Sequence, residues 1–122
     1  MKLTEAEWKV MNVVWERSPC TARQVLEELK DETDWAYTTT KTILTRLVNK
    51  GVLWTTMRDN TSIYEPLVGR VDAQHTEVRS LLERAFDGAI SPMMRFVLKR
   101  EGLSKKEREE LQRMLDEIEK DE

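Results

Sequence analysis

The stretch from Trp35 to Arg58 most constrains how this chain folds, because it lacks acidic residues and has a helical hydrophobic pattern followed by a β-strand pattern. It contains no Asp or Glu, although the 122-residue chain has a formal net charge of −3. The residues spaced three and four apart in its first half are Thr40, Ile43, Leu44, Leu47 and Val48. This spacing predicts a helix over residues 38–50 with one face turned to a core.

The opposite face of this predicted helix carries hydroxyl and basic side chains. They are Thr38, Lys41, Thr42, Thr45, Arg46 and Asn49. Threonine is a poor helix former, so this composition is unusual for a surface that is only solvated. It suits a DNA groove, because threonine reaches phosphates and base edges without bulk and the cations bind phosphate or guanine. An ordinary solvated face on a core helix is the alternative on composition alone.

The segments before this helix predict a helix-turn-helix unit. Residues 5–17 and 22–29 have helical apolar spacing, and capping boxes open them at Thr4 and Thr21. Two short helices joined by a tight connection, preceded by a helix that covers both, form the tri-helical arrangement of this unit.

After Gly51 the sequence favours β-structure, with Asp59-Asn60 as a turn signal between two extended runs. A hairpin in this position would form the wing of a winged helix and would carry Arg58 near its tip. Alternatively, the hairpin only closes the core, because Trp54, Ile63 and Tyr64 must pack somewhere. The predicted fold class is mainly α with a small β-hairpin wing.

The remaining residues predict three amphipathic helices with too few apolar side chains to fold alone. Ser91-Pro92 predicts the start of the middle helix, with Ser91 as its N-cap. Pairing with a second copy is the simplest source of a partner surface, and folding back on the N-terminal part is the alternative. We predict a winged-helix domain at residues 1–68 and a helical dimerisation domain at residues 69–122. The residues expected to dimerise are Leu82, Phe86, Phe96, Leu111, Met114, Leu115 and Ile118.

Several functional classes find no support in the residues. The single cysteine, Cys20, is predicted to be a buried or half-buried structural thiol rather than a reactive one, and the single histidine, His75, has no second His or Cys near it. The sequence therefore predicts no metal site, no cofactor and no enzyme. It has no apolar run long enough to span a membrane and no signal-like start, which predicts a soluble cytoplasmic protein.

Three motifs carry a resemblance to a known family. They are Leu3-Thr-Glu-Ala-Glu-Trp8 with Val10-Met11 and Val14-Trp15; Trp35-Ala-Tyr-Thr-Thr39 leading to Thr42, Leu44, Thr45-Arg-Leu47 and Lys50-Gly51; and Tyr64-Glu-Pro66. In these motifs, over nearly its full length, the chain resembles the BlaI/MecI/CopY family of bacterial transcriptional repressors. The resemblance implies a homodimeric repressor that binds a palindromic double-stranded DNA operator. A winged-helix module that binds protein instead of DNA is the alternative function.

The resemblance also implies where the chain contacts DNA. By matching position, the contacting face falls on Thr38, Thr39, Lys41, Thr42 and Arg46. Thr61 stands just past the wing turn, where relatives often have a basic residue, so a strong wing contact is not implied. Copper-responsive members carry a C-terminal cysteine cluster that this sequence lacks, so copper or zinc sensing is not implied.

In β-lactam-responsive members, induction cleaves the C-terminal part before a Phe, in a segment similar to Met93-Met-Arg-Phe-Val97. The corresponding bond here is Arg95–Phe96, which would make a regulatory protease a partner. A Phe on a helical stripe is also explained as a core residue, and the residue before it differs from the Asn of some relatives.

Overall fold

The computed structural model describes residues 2–121, which form helices and one two-stranded hairpin. In chain order, the elements are α1 (Glu5–Arg17), α2 (Ala22–Leu29), α3 (Tyr37–Asn49), β1 (Leu53–Arg58), β2 (Thr61–Pro66), α4 (Arg70–Phe86), α5 (Ile90–Phe96), a π-helical turn (Val97–Glu101) and α6 (Lys105–Lys120). A mainly helical chain with a hairpin after its third helix is a winged helix-turn-helix architecture, as the sequence predicted.

Capping boxes begin α1, α2 and α6, and those of α1 and α2 lie at Thr4 and Thr21, where the sequence predicted them. In the first box, the Thr4 hydroxyl accepts from the Glu7 amide at 3.2 Å, and the Thr4 amide donates to Glu7 Oε1 at 2.8 Å. Each box pairs two amide groups that the start of a helix otherwise leaves without partners. These local signals therefore set where α1 and α2 begin.

The predicted start of α5 was wrong by two residues. The helix begins at Ile90 with Ala89 as its N-cap, and no side chain makes a capping hydrogen bond there. Ser91 and Pro92 consequently lie inside the first turn, where the missing amide hydrogen of Pro92 costs no intrahelical bond.

The core of the N-terminal unit lies between α1, α2 and α3. Each helix contributes side chains spaced three and four apart, and the buried ones are Val10, Met11, Val14, Val25, Leu29, Ile43, Leu44 and Leu47. Cys20 is also buried, at 1% exposure, and burial raises the pKa of its thiol. This confirms the predicted buried thiol.

A Schellman-type cap joins α3 to the hairpin. The Val52 amide donates to the Leu47 carbonyl at 3.0 Å, and the Gly51 amide donates to the Val48 carbonyl at 3.0 Å. Gly51 has a φ of 78°, a left-handed conformation that favours glycine. Since Val52 and Leu53 are buried, the cap fixes the direction in which β1 leaves the core.

The hairpin is anchored at its base and exposed toward its tip. It pairs from Leu53 with Pro66 to Arg58 with Thr61, and the two turn residues have φ values of 51° and 65°, as a type I′ turn requires. Leu53 and Tyr64 are buried, whereas Trp54 is 53% exposed. Both interpretations of the hairpin are therefore right in part, because its base closes the core and the rest forms a wing.

The start of α4 is held against α1. The Trp15 indole donates to the Val68 carbonyl at 2.9 Å, and the Arg70 guanidinium lies over the Trp15 ring at 5.4 Å. Arg70 also pairs with Glu16 at 2.9 Å. These contacts connect the end of the hairpin region to the first helix.

The chain divides into two compact units, Met1–Val78 and Arg79–Glu122. The division falls within α4, so one helix contributes to both units. A packing unit need not coincide with a functional domain, and the boundary between residues 68 and 69 remains a prediction.

Candidate nucleic-acid interface

Helix α3 separates its threonines into an inner and an outer set. Thr40 is fully buried, and its hydroxyl donates to the Ala36 carbonyl at 3.3 Å. The exposed threonines of the helix are Thr38, Thr39, Thr42 and Thr45. The helix therefore turns the predicted hydroxyl-rich face outward.

Two of the outer threonines have their hydroxyl hydrogens engaged by the helix itself. Thr42 Oγ1 donates to the Thr38 carbonyl at 2.9 Å, and Thr45 Oγ1 donates to the Lys41 carbonyl at 2.9 Å. A hydroxyl used in this way retains acceptor lone pairs. These positions can therefore offer a methyl group and an acceptor oxygen, which match the thymine methyl and the amino groups of adenine or cytosine in a major groove.

Lys41 differs from the other predicted contact residues, because it is half-buried and held by the hairpin. Its Nζ donates to the Tyr64 hydroxyl at 2.9 Å. Tyr64 is itself 3% exposed and fixed by backbone hydrogen bonds to Cys20 at 3.1 and 2.7 Å. Lys41 thus ties α3 to the wing as well as contributing a positive charge.

Arg46 is the exposed cation on the outer face of α3, and a buried carboxylate lies behind it. Its Nε is 4.0 Å from Glu7 Oε2, with Arg46 51% exposed and Glu7 fully buried. Lys50 Nζ donates to Glu7 Oε1 at 2.6 Å and to the Lys2 carbonyl at 3.0 Å. One carboxylate of α1 therefore faces two cations of α3 and its C-terminal cap.

Burial alone would raise the pKa of Glu7. The hydrogen bond and charge of Lys50, together with the bonds from Thr4, outweigh burial and hold the pKa below its ordinary value. Glu7 is therefore ionised at neutral pH.

Arg58 lies at the exposed end of β1, beside the turn, where it pairs with Thr61. Its side chain makes no ion pair with any residue in the described range 2–121. The wing tip therefore presents one cation to the surroundings.

Sequence reasoning missed two residues near this face. The Arg23 guanidinium, on α2, lies 4.9 Å from the centre of the Tyr37 ring at the start of α3. Glu7 was identified only as a capping residue. Both make contacts between different helices, and neither contact has a signal in the local spacing.

The C-terminal unit has an exposed apolar groove of about 670 Å³. It is lined mainly by Met94, Leu98, Leu103, Leu111, Met114 and Leu115. Of the residues predicted to dimerise, Leu82 is already buried, and Phe86 packs against Phe96 with ring centres 6.5 Å apart. The more exposed members are Phe96, Met114, Leu115 and Ile118, at 53–59%.

The Arg95–Phe96 bond lies at the end of α5, immediately before the π-helical turn. Both residues are exposed. A π-helical turn is rare and is often found where a helix is locally irregular or functional.

No group of three or more His, Cys, Asp or Glu side chains within residues 2–121 is arranged to hold a metal ion. Over the same range, every helix is too short or too polar to cross a membrane.

The fold and the outward face of α3 define a winged-helix protein of the kind that reads nucleic acid. Residues 3–117 match the penicillinase repressor family, and the chain belongs to this family. It is 30% identical to the penicillinase repressor of Bacillus licheniformis over 116 residues, and this alignment covers 95% of this chain and 91% of the relative. It is 28% identical over 114 residues to the methicillin resistance regulatory protein MecI of Staphylococcus aureus, covering 93% of each.

A solved structure is similar as well. The solution structure of the Bacillus licheniformis BlaI monomeric form in complex with the blaP half-operator shares 30% identity with a TM-score of 0.51, covering 59% of this chain and 88% of that one. These comparisons confirm the family that the sequence motifs indicated and its winged-helix fold.

The lowered pKa of Glu7 predicts a pH-dependent contribution to stability. Because the pKa of Glu7 is lower in the folded protein than its value of about 4.3 in the unfolded chain, the ionised carboxylate stabilises the fold. This contribution is fully present above about pH 4.3 and is lost as pH falls through the folded pKa. Glu7→Gln should therefore lower the free energy of unfolding most near pH 7, by an amount that shrinks below about pH 4.

Urea unfolding of both proteins at several pH values measures this difference. Lys50→Gln should show the same trend, because it removes the cation that lowers the pKa. A difference between Glu7→Gln and the unaltered protein that does not change with pH would show that the pKa of Glu7 is the same in the folded and unfolded states.

Proposed function

We propose that this protein is a transcriptional repressor that binds a double-stranded DNA operator through α3. The observation that carries the proposal is the outward face of α3, with four exposed threonines, Arg46 and no acidic residue, on a helix whose other face is buried. The B-DNA major groove admits a helix of this kind. The similar BlaI structure, solved with a half-operator, supports DNA as the partner.

Different residues on the outer face of α3 make different contacts with DNA. Thr42 and Thr45 present methyl groups and acceptor oxygens to base edges, and Arg46 contacts a phosphate or a guanine. Thr38 and Thr39 lie in the first turn, where no side chain caps the helix, so their amides remain available to a phosphate. Lys41 supports this face while bound to Tyr64.

The wing makes a secondary contact. Arg58 is exposed beside the turn and reaches the sugar-phosphate backbone, which adds affinity without sequence information. Thr61, opposite it in the hairpin, adds no charge. The wing is therefore a weaker contact than α3.

Family membership favours this function over a winged-helix module that binds protein. The distribution of charge supports the same choice. Although the chain is acidic overall, Trp35–Arg58 contains only basic charged residues, and the local field rather than the net charge governs approach to DNA.

The repressor acts as a homodimer, paired through its C-terminal unit. Met114, Leu115 and Ile118 are exposed along α6, beside the apolar groove, and a second copy would cover them. Burying such side chains contributes roughly 1.5–3 kcal/mol each. Two copies would present two α3 helices to successive major grooves about 10 bp, or a multiple of that, apart, which suits a palindromic site.

Cleavage by a regulatory protease would relieve repression. The exposed Arg95–Phe96 bond borders the π-helical turn, a favourable place for the local opening that proteolysis requires. Cutting there would separate α6 from the DNA-binding part. Each remaining winged helix would then bind alone and lose the advantage of linked binding.

Arg46→Ala should weaken binding to duplex DNA and reduce its salt dependence. Each lost phosphate contact lowers the slope of log affinity against log salt by about 0.9. Arg17→Ala is the matched control, because Arg17 lines a cleft between α1 and α2 that includes no α3 residue. Fluorescence anisotropy across a salt series measures both variants. An Arg46→Ala protein with the affinity and slope of the control would remove Arg46 from the interface.

Leu115→Glu should convert the dimer to a monomer, because it places a charge in the apolar surface that the second copy would cover. Arg113→Gln is the control, since it changes the net charge by the same amount on the same helix. Sedimentation velocity measures the mass, and DNA titration measures the loss of affinity. A chain that ends at Arg95 should behave like Leu115→Glu. Dimers of Leu115→Glu, or a monomeric unaltered protein, would contradict this pairing.

A further inference from the structure

We propose that Glu7 determines specificity by acting on Arg46 and Lys50, which it restrains so that they do not bind DNA phosphates indiscriminately. This inference rests on the proposed DNA-binding function and deepens it. Glu7 would be a positioning residue, because it is buried in α1 and acts through Arg46 and Lys50, the two cations that it faces.

The two oxygens of the Glu7 carboxylate are in different situations. Oε1 accepts from the Thr4 amide at 2.8 Å and from Lys50 at 2.6 Å. Oε2 is buried and has no hydrogen-bond partner within the described part of the chain. An unpaired, buried carboxylate oxygen is costly, so a nearby donor has a strong reason to approach it.

Arg46 is the donor placed to do so. Its Nε is 4.0 Å from Oε2, too far for a hydrogen bond but close enough for a small side-chain rotation to complete one. A bond at Nε would leave the two terminal nitrogens of Arg46 free at the surface, with 51% of the side chain exposed. The guanidinium would then be aimed outward from a fixed point instead of moving freely.

Competition between the Glu7 carboxylate and DNA phosphates for Arg46 and Lys50 would favour specific over nonspecific DNA. A buried carboxylate is screened by salt less than a surface phosphate is, so it competes well with random phosphates for both cations. A correctly placed guanine offers Arg46 two acceptors and can compensate for any loss at Glu7. Nonspecific DNA offers no such compensation. Glu7 therefore weakens nonspecific binding more than specific binding.

Glu7→Gln tests the inference, with Glu5→Gln as its control. Both variants remove one negative charge from the first turn of α1, but Glu5 is exposed and forms no ion pair with residues 2–121. Binding is measured across a salt series to two probes, a random-sequence duplex and a duplex that the unaltered protein selects from a randomised pool.

For Glu7→Gln, we expect tighter binding to the random duplex, with a salt slope steeper by about 0.9 for each cation released. The ratio of specific to nonspecific affinity should fall relative to Glu5→Gln. Equal slopes and ratios in the two variants would overturn the inference. If the unaltered protein binds neither probe, the proposed function fails as well, so the two failures are distinguishable.

A measurement on the unaltered chain covers the case in which Glu7→Gln does not fold. If Glu7 restrains Arg46, the Arg46 Nε hydrogen should exchange with water more slowly than that of Arg58, which has no ion pair in the described range. Nuclear magnetic resonance resolves the two signals, and Arg46→Lys identifies the first by its loss. Equal exchange rates would show that Glu7 does not hold Arg46.

Discussion

The burial of one face of α3 against α1 and α2 is the interaction on which the rest of the structure depends. Ile43, Leu44 and Leu47 lie in the core, and this packing fixes the rotation of the helix about its axis. The same rotation exposes the four outer threonines and Arg46. A helix rotated by one residue, about 100°, would bury polar groups and expose leucines. The rotation that stabilises the core is therefore the same rotation that places the hydroxyl and basic residues on the outer face.

The charges near α3 follow from that packing. Because α1 packs against α3, Glu7 is buried beside Arg46 and Lys50, where it both completes a capping box and pairs with a cation. The hairpin makes a comparable contact from the other side, through Tyr64 and Lys41. The cations near this face therefore differ in their contacts within the protein. Lys41 and Lys50 donate hydrogen bonds to Tyr64 and Glu7, whereas Arg46 lies 4.0 Å from the Glu7 carboxylate and is half exposed.

The features that sequence predicted are those with local causes. The capping boxes at Thr4 and Thr21 and the turn at Asp59-Asn60 each depend on a few neighbouring residues, and they were found where expected. The pairs of Lys41 with Tyr64 and Lys50 with Glu7 join residues 23 and 43 positions apart, so no local pattern encodes them. The π-helical turn after Phe96 was also missed, because its residues have ordinary helical preferences. The family motifs indicated the proposed DNA-binding face but not that Lys41 and Lys50 are hydrogen-bonded within the protein.

The central claim is that the outer face of α3 meets the DNA duplex. Backbone amide chemical shifts of the isotope-labelled protein, recorded while a selected operator duplex is added, test it most directly. We predict smaller changes at Arg58, little change in the exposed polar residues of α1, and the largest changes at Thr38, Thr39, Thr42, Thr45 and Arg46. Changes concentrated away from α3, with its threonine amides unmoved in the bound state, would contradict it.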